Sequence, residues 1–200
     1  MISALLAVSI GAAIGVYRGG RLQNLSGLTV EHWKLLAIGV TLPLIVAWTG
    51  IPGGVYLVIP ALCCLIAFSL LNFTVTGMGV VAFGVFLNLL VIMANGFMPV
   101  SPEAIVRADL APNLAAASEL TLQSPRVVET AGDRLVFLGD IIPIGLFDQV
   151  LSFGDLILLF GLADVVMNAM LRRHRVEEAR VELPATGGLK PAMSNRSVAA

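Results

Sequence analysis

Five runs of the chain, 2–17, 35–48, 55–71, 77–94 and 156–171, are apolar almost throughout. A bilayer's hydrocarbon core is crossed by roughly 20 helical residues, within a range of about 17–25. Inside it every backbone polar group must be satisfied internally, so such runs fold as helices. The expected fold class is therefore all-α, an integral membrane helical bundle over residues 1–175. It would have about five transmembrane helices plus one re-entrant or interfacial segment. Several runs are short, so small tilts and interfacial ends are expected. Composition agrees: 58% of residues are hydrophobic and 12% charged, against roughly 25% charged in soluble domains. The mean hydropathy is +0.93.

The first run has no basic residues before it and basic residues after it, the reverse of a secretory signal peptide. It reads as a retained anchor. Lysine and arginine set the orientation. With the first loop and the C-terminal tail inside, Arg18, Arg21, Lys34, Arg172, Arg173, Arg175, Arg180, Lys190 and Arg196 are cytoplasmic. Arg107, Arg126 and Arg134 are outside, in one longer loop whose main segment is 96–133. The N-terminus is then outside and the C-terminus cytoplasmic. Tyr17 and Trp33 would mark the inner interface, and Trp48 and Tyr56 the outer one.

Within the outer loop, "VSPEAIVRADLAP" predicts a short helix with Ser101 as N-cap, Pro102 at the first helical position and Glu103 in the first turn. The Ala-rich stretch 114–122 predicts a second. Residues 135–147 are too short to cross and return, so they are the expected re-entrant or interfacial segment. Residues 176–200 are polar and read as a disordered cytoplasmic tail. Its "LPATG", 183–187, matches a sortase signal but lacks the apolar span that a working signal needs. Cys63 and Cys64 are adjacent, which strains a disulfide. They read as two small buried apolar residues.

Polar residues inside apolar runs are costly and mark candidate sites. Gly77, Gly84, Asn88 and Asn95 recur at steps of seven and four, one face of a helix. Asp164 lies mid-run with Asn168 one turn on. Asn88, Asn95, Asp164, Asn168 and Arg134 are the candidate polar cavity, or else interhelical hydrogen-bonding pairs. Ser3, Ala7, Gly11 and Gly15 recur every four residues and predict close helix packing, within the chain or in a homo-oligomer through Gly11/Gly15.

The stretch "LGDIIPIGLFDQVLSFGDLILLFG", 138–161, sets Asp140, Asp148 and Asp155 among apolar residues. Ser152 followed by Asp155 is a helix-start signature, and an acid there favours the helix dipole. No such reason applies to Asp140. Converging carboxylates cannot both ionise, so one serves as acid and the other as base. Asp140 and Asp155 are thus candidate catalytic residues. This chemistry calls for no metal and no cofactor, and the two histidines, His32 and His174, fall on the cytoplasmic side.

"NGFMPV" (95–100), "FLGDIIP" (137–143) and "LSFGD" (151–155) resemble a family of small bacterial integral membrane proteins of unknown function. That resemblance implies the bacterial plasma membrane and no particular activity. "DRLVFLGDII" and "FGDLILLFG" look like lipoprotein signal peptidase. On that likeness Asp133, Arg134 and Leu135 match the Asp-Arg-Leu element, and Asp140 and Asp155 fall on the catalytic aspartates. The family's Gly-Asn before Asp-Arg is absent here, and its Phe-Asn-x-Ala-Asp has become Ser152-Phe153-Gly154-Asp155.

Three functions follow as expectations. The first is an intramembrane aspartyl hydrolase acting on a membrane-embedded peptide or lipid. The second is a small proton-coupled transporter using Asp164. The third is a non-enzymatic membrane scaffold or partner subunit. The lipid bilayer is the expected partner. Nucleic acid is not, because no basic cluster with interleaved aromatics occurs.

Overall fold

The structure, a computed structural model, describes residues 2–182, with side chains as far as Leu171. The segment 183–200, with "LPATG" and most of the expected tail, lies outside the described residues. The five apolar runs form the long helices α1 (Ile2–Tyr17), α2 (Trp33–Thr49), α3 (Val55–Leu71), α4 (Met78–Asn95) and α7 (Phe153–Glu182). A 3-10 turn, Leu22–Gly27, follows α1. The last helix continues past 171 to Glu182, through the start of the segment expected to be a tail.

The chain is not all-α. Residues expected as an outer loop and a re-entrant segment fold into a small cap with a four-stranded mixed sheet. The strands are β1 (Met98–Val100), β2 (Arg126–Val128), β3 (Asp140–Ile144) and β4 (Gln149–Ser152), in the order β2-β1-β3-β4. β1 pairs parallel with β2 and with β3, and β3 pairs antiparallel with β4. The interfacial segment is thus a hairpin strand whose backbone groups are paired in a sheet. Two short helices, α5 (Pro102–Arg107) and α6 (Leu114–Ser118), complete the cap. The Ser101 hydroxyl accepts from the Ala104 N–H, and the Asn113 side chain accepts from the Ala116 N–H at 2.9 Å. These caps satisfy helix-start donors that have no intrahelical partner. Val100, Ile105, Ala108, Ala117 and Val150 form the cap's core.

Packing runs α1–α7–α4–α3–α2. Helix α7 meets both of its neighbours, α1 and α4, backbone to backbone. A Cβ at Gly11 would strike the Ala163 carbonyl, and one at Gly161 would sit 2.7 Å from Val81 N. A Cβ at Gly84 would lie 2.6 Å from both Gly154 O and Leu158 N. Small residues permit this closeness. Gly11 and Gly15 are buried against α7, so a homo-oligomer through that face would have to displace α7. The expected burial of the cysteines is not found: Cys63 is exposed, Cys64 half-buried, and both thiols are free.

The cap sits where α2 and α4 end and where α3 and α7 begin. Val46, Val58, Val91, Ile92 and Met98 form the core at this junction. Gly50 and Gly96, at φ +61° and +77°, close α2 and α4 with N–H bonds to Val46 O and Ile92 O. That left-handed conformation favours glycine at a helix C-terminus. Gly84→Val is expected to destabilise the fold by about 3 kcal/mol or more, because backbone atoms cannot yield to the added volume. Gly132→Ala, with nothing near its missing Cβ, should be close to neutral. Thermal unfolding in mild detergent compares the two, and equal midpoints would refute the close-approach account.

Candidate functional site

Asp140 opens β3 in the middle of the sheet. Its backbone is placed by Val100 and Ser152, its partners across the two neighbouring strands. Its carbonyl accepts from Ser101 N at 3.0 Å. Gly139 fits because a Cβ there would sit 2.6 Å from Pro99 O. The chain is brought to this point under strain. Leu135 has φ +53°, which costs on the order of 1–3 kcal/mol for a non-glycine residue. Beside it, Asn95 clamps the Arg134 backbone: its Oδ1 accepts from Arg134 N at 2.7 Å, and its Nδ2 donates to Arg134 O at 2.8 Å.

The Asp140 side chain is 1% exposed. Its Oδ2 lies 2.7 Å from Arg126 Nε. That contact is a close charge pair rather than an aligned hydrogen bond, and among the described residues neither buried carboxylate oxygen has a hydrogen-bond donor. Burial pushes the Asp140 pKa up, the Arg126 guanidinium pulls it back, and the Asp155 charge raises it again, to about 7. Desolvation dominates, as expected for an acid removed from water.

Asp155 is held quite differently. Its N–H donates to Ser152 Oγ at 2.9 Å, and its Oδ2 accepts from Ser152 N at 3.4 Å. This is a capping box at the start of α7. Its Oδ1 accepts from Asn88 Nδ2 at 2.7 Å, and the Ser152 hydroxyl donates to Asn88 Oδ1 at 2.8 Å. Asp155 also lines a cleft of about 200 Å³ between the first residues of α1, β2, β4 and the first turns of α7. Ser3, Ala4, Arg126, Gln149 and Leu158 line it too. Asp140 does not; Arg126 reaches from the cleft back to it.

The expected polar cavity divides into three places. Asn88 joins Asp155, and Asn95 holds the Arg134 backbone, with the Arg134 side chain exposed. Asp164 accepts from Asn168 Nδ2 at 2.7 Å. Nine residues separate Asp155 from Asp164, about two and a half helical turns, so the two acids lie on opposite faces of α7. Just past β2, burial raises the Glu129 pKa, with Glu103 and Asp133 adding to it. A hydrogen bond from Ser101 lowers that of Glu103. Among the described residues no three His, Cys, Asp or Glu side chains are placed to hold a metal ion.

Two residues, one at this site and one at the opposite end of α3, escape a reading of local sequence. Arg126 stands in "SPRVVE" as one more loop cation. The signal was present in Asp140 itself, since an acid among apolar residues calls for a paired cation. Asn72 is buried and pairs with the Glu31 backbone, its Oδ1 accepting at 2.8 Å and its Nδ2 donating at 3.0 Å.

Fold and site together define a mostly helical protein with a small mixed-sheet cap that holds a buried, cation-paired carboxylate. The chain belongs to DUF5317, a family of unknown function whose model matches residues 27–167. That segment includes the whole cap and both aspartates, and leaves α1 outside. No curated protein and no solved structure matches the chain.

The raised Asp140 pKa fixes the sign of a pH effect. The unfolded carboxyl ionises near 3.8 and the folded one near 7. Asp140 therefore stabilises the fold fully below about pH 4, and that contribution is lost as pH rises to about 7, by an amount on the order of a few kcal/mol. Wild-type unfolding midpoints should fall relative to Asp140→Asn across this window and run parallel above it. Parallel profiles throughout would contradict the assignment.

Proposed function

We propose that this is a five-span protein of the bacterial plasma membrane, N-terminus outside and C-terminus cytoplasmic, with the cap on the outer face. Two helices, Met78–Asn95 and Phe153–Leu171, have the length and apolar composition to cross a bilayer. Only 33% and 28% of those spans is buried, whereas the core helix of a soluble protein would be mostly buried. Their open faces, and those of the shorter helices, carry large apolar side chains such as Ile10, Ile14, Phe83, Phe86 and Phe160. Exposed apolar surface on this scale marks a membrane or a partner. Trp48 and Tyr56 are strongly exposed at the cap end, and Tyr17 and Trp33 at the other, as two interfacial belts would require.

At the outer face the reading best supported is an aspartate-pair hydrolase for a membrane-embedded peptide or lipid. The observation that carries it is Asp140, a buried acid poised near neutrality by desolvation, with the charge of Asp155 acting on it. Perturbed acids of this kind concentrate at functional sites. With Arg126 drawn aside, water between the two could give a proton to Asp155 and its oxygen to a substrate carbonyl. Protonated Asp140 would give its proton to the carbonyl oxygen. Collapse would then pass the Asp155 proton to the leaving group and return a hydroxyl proton of the intermediate to Asp140, regenerating both acids. A scaffold role is the second reading, favoured by the bonds that already occupy both Asp155 oxygens. A proton-coupled route through Asp164 would run along the other face of α7.

Two measurements test this reading. In a cysteine-free background, Ser118→Cys should react with an impermeant maleimide in intact cells, and Ala179→Cys only after permeabilisation. The reverse pattern would overturn the topology. A statine-containing peptide, whose hydroxyl mimics the tetrahedral intermediate, should bind the detergent-solubilised protein and lose affinity by about 100-fold or more with either Asp140→Asn or Asp155→Asn. The double variant should be no worse, because residues acting as one unit are not additive. Equal binding by all four proteins would remove the hydrolase reading and leave the scaffold.

A further inference from the structure

The cleft beside Asp155 has a cation in its wall whose donors are incompletely used. Arg126 spends Nε on Asp140, and one terminal nitrogen lies 3.5 Å from Val150 O, the outer limit of a hydrogen bond. A guanidinium has five donors in a planar fork. The side chain is 43% exposed, so part of that fork faces the cleft. The rest of the wall has two characters. Ser3, Gln149 and Asp155 are polar, whereas Ala4, Leu158 and Leu159 are apolar and continue along the flanks of α1 and α7. A ligand matching both would carry a polar head on an apolar tail.

Charge narrows the class. An arginine fork fits the oxygens of phosphate or carboxylate in a paired geometry. Two acids oppose an anion here. Asp155 is tied down by Asn88 and Ser152 at the positive end of α7, which offsets part of its charge. Asp140 faces Arg126 from β3, with no other donor to hold its charge. Just past β2, Glu129 is a third acid, its buried Oε2 without a hydrogen-bond partner among the described residues and its pKa raised by burial, so it too leans to the neutral form. The remaining charged groups near these elements are engaged or exposed. Glu103 on α5 accepts from Ser101, and Asp133 accepts from Thr130 N. Arg107, Arg134 and Asp148 are exposed.

We propose that this cleft seats the phosphate of a membrane amphiphile on the Arg126 guanidinium, in exchange for Asp140, which takes a proton from water and stays behind neutral. The proposal rests on the outer-face membrane placement above, and does not need hydrolysis. Binding of anion and proton then favour one another, because linkage is reciprocal. The buried carboxyl already sits close to the pH at which such an exchange is cheap.

Calorimetric titration of the full chain in non-ionic detergent tests it, with dioctanoyl phosphatidylglycerol, phosphate-free dioctanoylglycerol and inorganic phosphate as probes. Phosphatidylglycerol should bind saturably, and about ten-fold or more tighter at about pH 5.5 than at about pH 8.5. The other two should bind far more weakly. Asp140→Asn should bind phosphatidylglycerol equally at both pH values. Arg126→Gln alone leaves a buried unpaired acid and is prone to misfold, so the decisive variant is Arg126→Gln with Asp140→Asn, which removes the whole pair. It should fold and not bind. Wild-type affinity in the double variant would overturn the proposal. So would equal binding of the phosphate-free lipid, and equal binding of inorganic phosphate would replace the amphiphile by a free anion. Carbonate extraction of the same membranes reports placement separately. Loss of binding with placement intact defeats this inference alone.

Discussion

The close approach of α7 to α1 and α4 is the constraint on which the rest depends. On the proposed membrane placement, apolar helices gain nothing from excluding water, because lipid tails are as apolar as leucine, so packing must come from shape. Gly11, Gly84, Gly154 and Gly161 supply that shape by letting backbones touch. The consequence travels into the cap through Ser152, which is both the last residue of β4 and the N-cap of α7. No loop intervenes, so seating α7 seats the sheet. Asp140 pairs with Ser152 across β3 and β4, and its position is therefore inherited from helix packing.

The second device is the asparagine side chain used as a substitute strand. Asn95 at the end of α4 pairs with the Arg134 backbone, and Asn72 after α3 pairs with the Glu31 backbone. Asn24 donates to Met170 O at 2.6 Å. Asn95 and Asn72 satisfy irregular backbone next to an apolar bundle, where an unpaired N–H or carbonyl is expensive, whereas Asn24 ties the turn after α1 to a carbonyl within α7. The Asn95 clamp has a further effect, since it holds the chain at the strained Leu135 on the way to Asp140. Asn95 thus serves the site from a distance, without lining the cleft beside Asp155.

How much was legible follows from the range of each signal. Long apolar runs announce themselves, and α1 and α3 begin and end where the runs do. Local capping chemistry is equally visible: Ser101 with Pro102 starts α5, and Ser152 with Asp155 starts α7. The sheet was not legible. Its strands are three to five residues long, and "DIIPI" is as apolar as an interfacial segment, with a proline that argues against a strand. Pro143 is accommodated in the β3–β4 hairpin, away from the central pairing of β1 with β3. Parallel pairing of β1 with β2 joins Met98 to Arg126, and local periodicity carries no trace of so distant a partner. Arg126 was missed for the same reason. The sequence shows that Asp140 needs a cation, but only the fold says which one.

The three acids of 138–161 can now be separated by what local rules explain. Asp148 closes a 3-10 turn at φ +48°, a conformation that aspartate tolerates better than most residues, and it is exposed. Asp155 completes a capping box and would earn its place in any helix start of this kind. Asp140 has no such role. Asparagine or serine at that position would avoid burying a charge, and a well-packed apolar residue is often at least as stable as a buried ion pair. A chain that keeps a buried carboxylate there, pairs it with one cation and leaves its oxygens without hydrogen-bond donors is less stable for it. On the proposal made above, the carboxylate does what a neutral side chain cannot: it exchanges a proton while Arg126 changes partner.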